Sequence, residues 1–223
     1  MWHTGHRGFN ALDITPLDKL INQRRSIRKY KRECPPEEWV RKMILAAMRA
    51  PSPSNSQPVR FIRILSPELK DHLLQAMREG EERLLEAVKN ASSSKRLRNW
   101  INAYRRFSEF MFDAPVLLAV STTTTFLNLA ERLFRASAME QGQKKHRDID
   151  IAVGLALKGY LLKGEELGLG SCILTAPLLF IQEPEGILGL KGMEIKCFVT
   201  TGYPDEEPAY IKQKDITEIF REI

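Results

Sequence analysis

Apolar residues recur along this chain with two distinct periods. Inside "PPEEWVRKMILAAMRA", Val40, Met43, Ile44 and Ala47 repeat on one face at helical spacing, and the prolines and two glutamates suit a helix start. That helix should stop near Ala50, because Pro51 disfavours helical backbone in the residue before it. Leu17–Gln23 is a shorter helix candidate, with Thr15 as N-cap and Pro16 at the first helical position. Pro67 to about Lys89 reads as a charged amphipathic helix, "KNASSSKR" breaks it, and Leu97–Met111 resumes the helical pattern. A period of two governs "VRFIRIL", with Val59 and Phe61 on one face of a strand and Ile62 and Ile64 toward the core. "APVLLAVS" is short, wholly apolar and bounded by Pro115, the pattern of a buried strand. "GSCILT" and "EIKCFVTTGYP" are further strands, and a helix is predicted from Pro177.

Ile149–Gly168 is apolar nearly all round, which predicts a helix buried on every side. Stretch 122–147 is polar and ambiguous, readable as a mobile helix or a lid. Residues 1–14 read as a frayed tail. Helices outnumber strands, and no regular βαβ alternation joins them. The prediction is an α+β fold with a small central sheet. No internal repeat or low-complexity linker divides the chain, so 1–223 is expected to be one domain.

Composition adds modest constraints. The 223 residues are 43% hydrophobic, enough for a sizeable core, with a formal net charge of +6 and a pI near 9.3. A mild basic excess suits an anionic partner such as a phosphorylated cofactor. The excess is spread along the chain, which argues against nucleic acid. The basic, aromatic-bearing stretch "KRLRNWINAYRR", Lys95–Arg106, is the one RNA-binding candidate, and a solvated helix face explains it as well. The three cysteines have no metal-site spacing, and the four histidines form no metal pattern. The near-apolar run Ile149–Leu162 is shorter than the roughly 18–20 residues a membrane span needs and carries Asp150 and Lys158. No signal-peptide core opens the sequence, so a cytoplasmic protein is expected.

Four stretches could carry chemistry. "RRSIRKY" gathers Arg24, Arg25, Ser26 and Arg28, and arginine's planar fork donates paired hydrogen bonds to phosphate. If extended, it turns Arg24, Ser26 and Arg28 one way and Arg25 the other. Taken alone, a solvated basic edge explains it. "APSPSNSQP" has small residues that let a planar ligand approach the backbone, with Asn55 and Gln57 able to donate and accept. Taken alone, it is a polar loop. "ELGLGSCILTAP" carries Gly168 and Gly170, for which a helix C-cap is a sufficient reason at Gly168. "GYPDEEPAYIKQKDI" places Lys212 and Lys214 after a proline-rich turn, by default a solvated end. There is no Walker A loop, no G-x-G-x-x-G and no G-x-S-x-G.

In this order, "RRSIR", "APSPSNSQP", "ELGLGSCIL", "ILGL" at Ile187–Leu190 and "GYPDEEP" resemble the nitroreductase family of FMN-dependent NAD(P)H oxidoreductases, over residues 16–220. The resemblance implies a nitroreductase-like α+β fold, a central mixed β-sheet flanked by helices in an intertwined homodimer. It implies FMN at the subunit interface, NADH or NADPH as donor, and a small-molecule electron acceptor such as a nitroaromatic or quinone, reduced by a ping-pong hydride mechanism. No nucleic acid or membrane partner is implied. Carried over, Arg24, Arg25 and Ser26 would lie at the FMN phosphate and ribityl chain. Arg28 would sit at the pyrimidine edge, where a cation stabilises the charge of reduced flavin. Ser52, Pro53, Asn55 and Gln57 belong to the loop expected from the other subunit, and the backbone of Leu174, Thr175 and Ala176 would cover one flavin face. Lys212 and Lys214 would be further phosphate partners. Stretch 122–147 falls where the family varies and would shape the substrate side. Val59 stands where the family commonly has an aromatic residue, and Phe107 and Phe110 where polar ring contacts could stand, implying a more apolar pocket. Some relatives instead perform reductive deiodination or fragment their own flavin.

Overall fold

The computed structural model describes residues 15–124, 136–137, 147–208 and 213–223. The expectations for 1–14, for Lys212 and for most of 122–147 lie outside these residues. The described ends of 122–147 belong to neighbouring elements: Thr122 and Thr123 close a strand and Arg147 opens a helix.

The local signals place the helices. α1 (Pro16–Gln23) opens with a reciprocal cap, in which Asp18 N–H donates to Thr15 Oγ1 (3.2 Å) and Thr15 N–H to Asp18 Oδ2 (2.9 Å). α2 (Glu37–Met48) buries Val40, Met43 and Ala47 and ends just before the Pro51 boundary. α3 (Pro67–Ala87) starts on Ser66, whose hydroxyl accepts Leu69 N–H (3.1 Å). α4 (Ser94–Glu109) and α5 (Arg147–Glu166) complete the long helices. The helix predicted from Pro177 is one turn, α6 (Pro177–Phe180), followed by a second turn, α7 (Pro184–Ile187). Extended Ile181 and left-handed Glu183 (φ 51°) separate the two.

Four strands, β1 (Val59–Arg63), β2 (Val116–Thr123), β3 (Gly170–Leu174) and β4 (Met193–Gly202), form one sheet in the order β1-β2-β4-β3. Each of its three strand pairings is antiparallel. The parallel component of the expected mixed sheet is, among the described residues, the single bridge from Ser26 to Ser171 on the β3 edge.

Both faces are covered, so β2 could be apolar throughout. Val116, Leu118 and Val120 pack with α2 and α5, while Leu117 and Ala119 pack with α3 and α4. In β4, Ser121 faces Ile195 and Val120 faces Cys197, which leaves Lys196 as an extra residue. This bulge reverses the alternation, sending Ile195 to the α3/α4 side and Cys197 to the α2/α5 side.

α5 departs from the expectation of burial on every side. Ala152, Val153, Ala156, Leu157 and Tyr160 are buried, but Ile151 is 55% and Leu155 44% exposed, with Gly154 and Lys158 beside them. Among the described residues α5 leans on α2, α1, the loop before β1 and the sheet, and a stripe stays open. Among the described residues no helix is long and apolar enough to cross a membrane.

Candidate functional site

The chain leaves α1 at Arg24 and runs along the outer edge of β3. Ser26 bridges Ser171, and Ile27 N–H donates to the Ser171 carbonyl (3.2 Å). Gly170 makes room for this approach, because a Cβ there would stand 2.5 Å from Ile27 Cγ1. The segment then pairs with the chain beyond β4: Tyr30 bridges Pro204, Lys31 N–H donates to Tyr203 O (2.9 Å), and Asp205 N–H to Lys29 O (3.0 Å). Tyr30 sends its hydroxyl inward to Ile27 O and to Thr200 Oγ1 (2.8 Å), and burial pushes that phenol well above its ordinary pKa.

Arg25 folds back, donating through Nη1 to Asn22 O (2.6 Å) and Arg24 O (2.9 Å). Arg24, Ser26 and Arg28 all act on Cys172, and Arg24 acts with Arg25 on Glu165. The Cys172 thiol is raised chiefly by burial, with Arg28, a hydrogen bond to Ser26 and Arg24 pulling it down and Glu206 pushing it up. Among the described residues the Arg28 guanidinium reaches only the Ser26 carbonyl, at 3.5 Å, and the Arg24 guanidinium has no hydrogen bond or ion pair. A cationic surface with open donors and a serine hydroxyl fits a phosphate monoester.

Two carboxylates escaped the sequence reading. Glu206 accepts the backbone N–H groups of Arg28 (2.5 Å) and Lys29 (3.1 Å) on Oε1. Its place in "GYPDEEP" was the available signal. Glu165, at the end of α5, is raised above the usual carboxylate range by burial and drawn back by Arg24 and Arg25. Nothing in its local sequence marked it.

The "APSPSNSQP" loop is strained. Ser54, Asn55 and Gln57 take left-handed backbone (φ 50°, 52° and 47°), at a cost of about 1–2 kcal/mol each for ordinary residues and less for Asn. Internal hydrogen bonds hold it: Gln57 N–H to Ser52 Oγ (3.0 Å), Asn55 N–H to Ser52 O (3.1 Å) and Gln57 Nε2 to Asn55 Oδ1 (3.2 Å). Such strain concentrates where a ligand is held. Beside the loop lies a largely apolar cleft of about 250 Å³, lined by Met48, Ser52, Gln57, Phe61, Ala152 and Ala156 among others. Pro53 opens a single 3₁₀ turn in the same loop, after Ser52.

The chain does not bring these two halves together. "RRSIR" bridges the outer edge of β3 and "SNSQP" leads into β1 at the opposite edge, four strand spacings or ~19 Å away. Along α5, Ala156 lines the cleft, and Glu165, whose carboxyl responds to Arg24 and Arg25, follows nine residues or ~14 Å further on. Leu174 ends β3, and Thr175 and Ala176 lead into α6; the Leu174 side chain is buried in the core, which leaves its backbone and the exposed Thr175 to meet a ligand. Lys214 stands on the exposed C-terminal segment beside α8 (Ile216–Ile219), paired with Glu218 at 3.9 Å.

The RNA-binding candidate loses part of its charge. Arg105 is held between Glu81 and Glu109 (2.6 Å each), and Arg96 stacks on Trp100, 4.4 Å from the ring centroid. Phe110 packs against the α3/α4 core rather than on the cleft, so it does not make that pocket apolar, whereas Phe107 is exposed.

The chain is similar to an iodotyrosine deiodinase of Thermotoga neapolitana, 28% identical over 205 residues, 90% of this chain and 95% of that protein. It is similar to an NADH dehydrogenase of Thermus thermophilus, 27% identical over 202 residues, 88% and 91% of the two chains. Among solved structures, it superposes on an oxidised iodotyrosine deiodinase bound to FMN and 3-iodo-L-tyrosine. The TM-score is 0.64 at 27% identity, over 90% of this chain and 96% of that one. The family model described as Nitroreductase family matches residues 21–203, from the end of α1 to just past β4. That span takes in the cationic edge, the strained loop and the sheet that separates them, and the chain belongs to the nitroreductase family.

Proposed function

We propose that the protein is an FMN-dependent oxidoreductase that takes electrons from NADH or NADPH and passes them to a small organic acceptor, a nitroaromatic, quinone or related compound. The observation that carries this reading is the cationic β3 edge, where Arg24, Ser26 and Arg28 gather around Cys172 and the Arg24 guanidinium has no hydrogen bond or ion pair among the described residues. FMN, when bound, supplies hydride acceptance and delivery, so no acid–base dyad is required of the side chains. Arg24, Arg25 and Ser26 hold the phosphate end by charge and hydrogen bonds. Arg28 places a fixed cation where negative charge grows on reduction. The Leu174–Ala176 backbone lies against the ring, and Lys212 and Lys214 add charge at the phosphate.

Ser52, Pro53, Asn55 and Gln57 serve a site completed by a second copy, because within one chain they stand at the far edge of the sheet. The open stripe of Ile151 and Leu155, with the exposed Ile216, Ile219 and Phe220 of the tail, supplies apolar surface for that homodimer. Light scattering should give twice the chain mass, and deletion of 213–223 should weaken the dimer and release FMN. A tail-deleted protein that stays dimeric with full FMN would remove the tail from this role.

A second chemistry, reductive deiodination, is favoured by the 28% identity to the Thermotoga neapolitana enzyme. The test is a purified protein that is yellow and releases FMN on denaturation. NADH and NADPH oxidation are then followed with a nitroaromatic, a quinone and 3-iodotyrosine in parallel. Colourless protein that cannot be reconstituted with FMN refutes the flavin reading. Turnover of 3-iodotyrosine alone selects the second chemistry.

A further inference from the structure

We propose that Glu206 is a positioning residue that sets both the place of Arg28 and the electrical balance around it. The proposal rests on the reading of the Arg24–Arg28 edge as the FMN cradle. One carboxylate oxygen gathers the amides of Arg28 and Lys29, which are 178 and 177 residues away in sequence. Two charge-assisted bonds on one acceptor fix the peptide planes from which the Arg28 side chain departs. The ribbon around them does not depend on this carboxylate. Lys31 to Tyr203, Asp205 to Lys29 and the Tyr30–Pro204 bridge are backbone pairings that survive its loss. Glu206 therefore adds something local to Arg28 rather than building the ribbon.

The second effect is one of sign. Glu206 Oε1 lies on the Arg28 amide, so its negative charge stands at the base of the Arg28 side chain, and the buried Cys172 thiol responds to the two in opposite directions. A cation at this edge favours reduced flavin, and a carboxylate behind it opposes that preference. Glu206 thus keeps reduced FMN from being held too tightly to pass its electrons on. Removing the charge and removing the acceptor should have different consequences, because glutamine keeps an oxygen that can accept both amides.

The experiment compares Glu206→Gln and Glu206→Ala with wild type. In apoprotein, hydrogen exchange at the Arg28 and Lys29 amides should stay near wild type in E206Q and quicken at least tenfold in E206A. In protein loaded with FMN, E206Q should favour reduced over oxidised FMN about tenfold more than wild type, raising the two-electron midpoint potential by about 30 mV. E206A should bind oxidised FMN at least tenfold more weakly. Unchanged exchange in E206A, or an E206Q potential equal to or below wild type, overturns the proposal. Wild-type protein that binds no FMN overturns the cradle reading instead, while the apoprotein exchange still tests whether Glu206 holds the Arg28 backbone.

Discussion

Gly80→Ala puts the contact between α3 and the turn after β3 to a quantitative test. Gly80 is buried in the middle of α3, and a Cβ there would stand 2.0 Å from Phe180 O, 2.6 Å from its carbonyl carbon and 2.8 Å from its Cα. A tolerable carbon–oxygen separation is about 3.3 Å, so the helix or α6 must move by roughly 1.3 Å. The obstacle is backbone, which cannot rotate aside as a side chain could. Alanine gains about 1 kcal/mol in helix propensity over glycine. Overpacking costs about 1–3 kcal/mol, here at the upper end. The movement also stretches the bond from Arg83 Nη2 to the same Phe180 oxygen (3.1 Å). Losing that charge-assisted bond adds about 1.5 kcal/mol. The net loss is about 3.5 kcal/mol, which lowers the melting temperature by roughly 7–14 °C for a domain of this size. Scanning calorimetry at matched concentration reads this directly. Gly186→Ala is the control, since nothing lies within 4 Å of a Cβ at that position. If G80A is as stable as wild type while G186A behaves normally, the close approach of α3 to Phe180 is wrong. α6 follows directly on Thr175 and Ala176, so G80A should also weaken FMN binding.

Three further outcomes separate the roles assigned above. Arg24→Ala should raise the FMN dissociation constant about tenfold or more, as expected for one charge-assisted contact worth about 1.5–3 kcal/mol. Arg28→Ala should lower the flavin midpoint potential and slow its reduction in stopped flow. Wild-type affinity and reduction rate in both variants would dismiss the assignment. A thiol reagent should find one fast cysteine in the native chain and three in denaturant, because Cys34 is exposed while burial raises Cys172 and pushes Cys197 up to about 12. Rapid labelling of a second native thiol contradicts that packing. For Glu165, burial raises the folded pKa above the unfolded 4.5, so between them the folded state binds the extra proton and stability falls as pH rises. Glu165→Gln should therefore gain on wild type in urea unfolding from pH 4 to 7, and a flat difference argues against the burial.

Much of this architecture was legible along the chain. Thr15 and Ser66 capped their helices as their types foretell, Val59–Ile64 divided its side chains between two cores, and the apolar β2 run meant a strand covered on both faces. These are local facts, settled by the few residues on either side through caps and side-chain period. The order of five motifs likewise carried the family, since each motif is a short piece of chain. What escaped was decided between distant segments. The Lys196 bulge depends on how β4 meets β2, and the open stripe on α5 on which helices reach it. The Glu206 bond to Arg28 joins segments far apart along the chain, and the ~19 Å between "RRSIR" and "SNSQP" follows from sheet order. Sequence determined which side chains could bind an anion or crowd a planar ring. Only the tertiary structure decided that one chain keeps those two sets on opposite edges, because strand order is fixed by packing across the whole molecule.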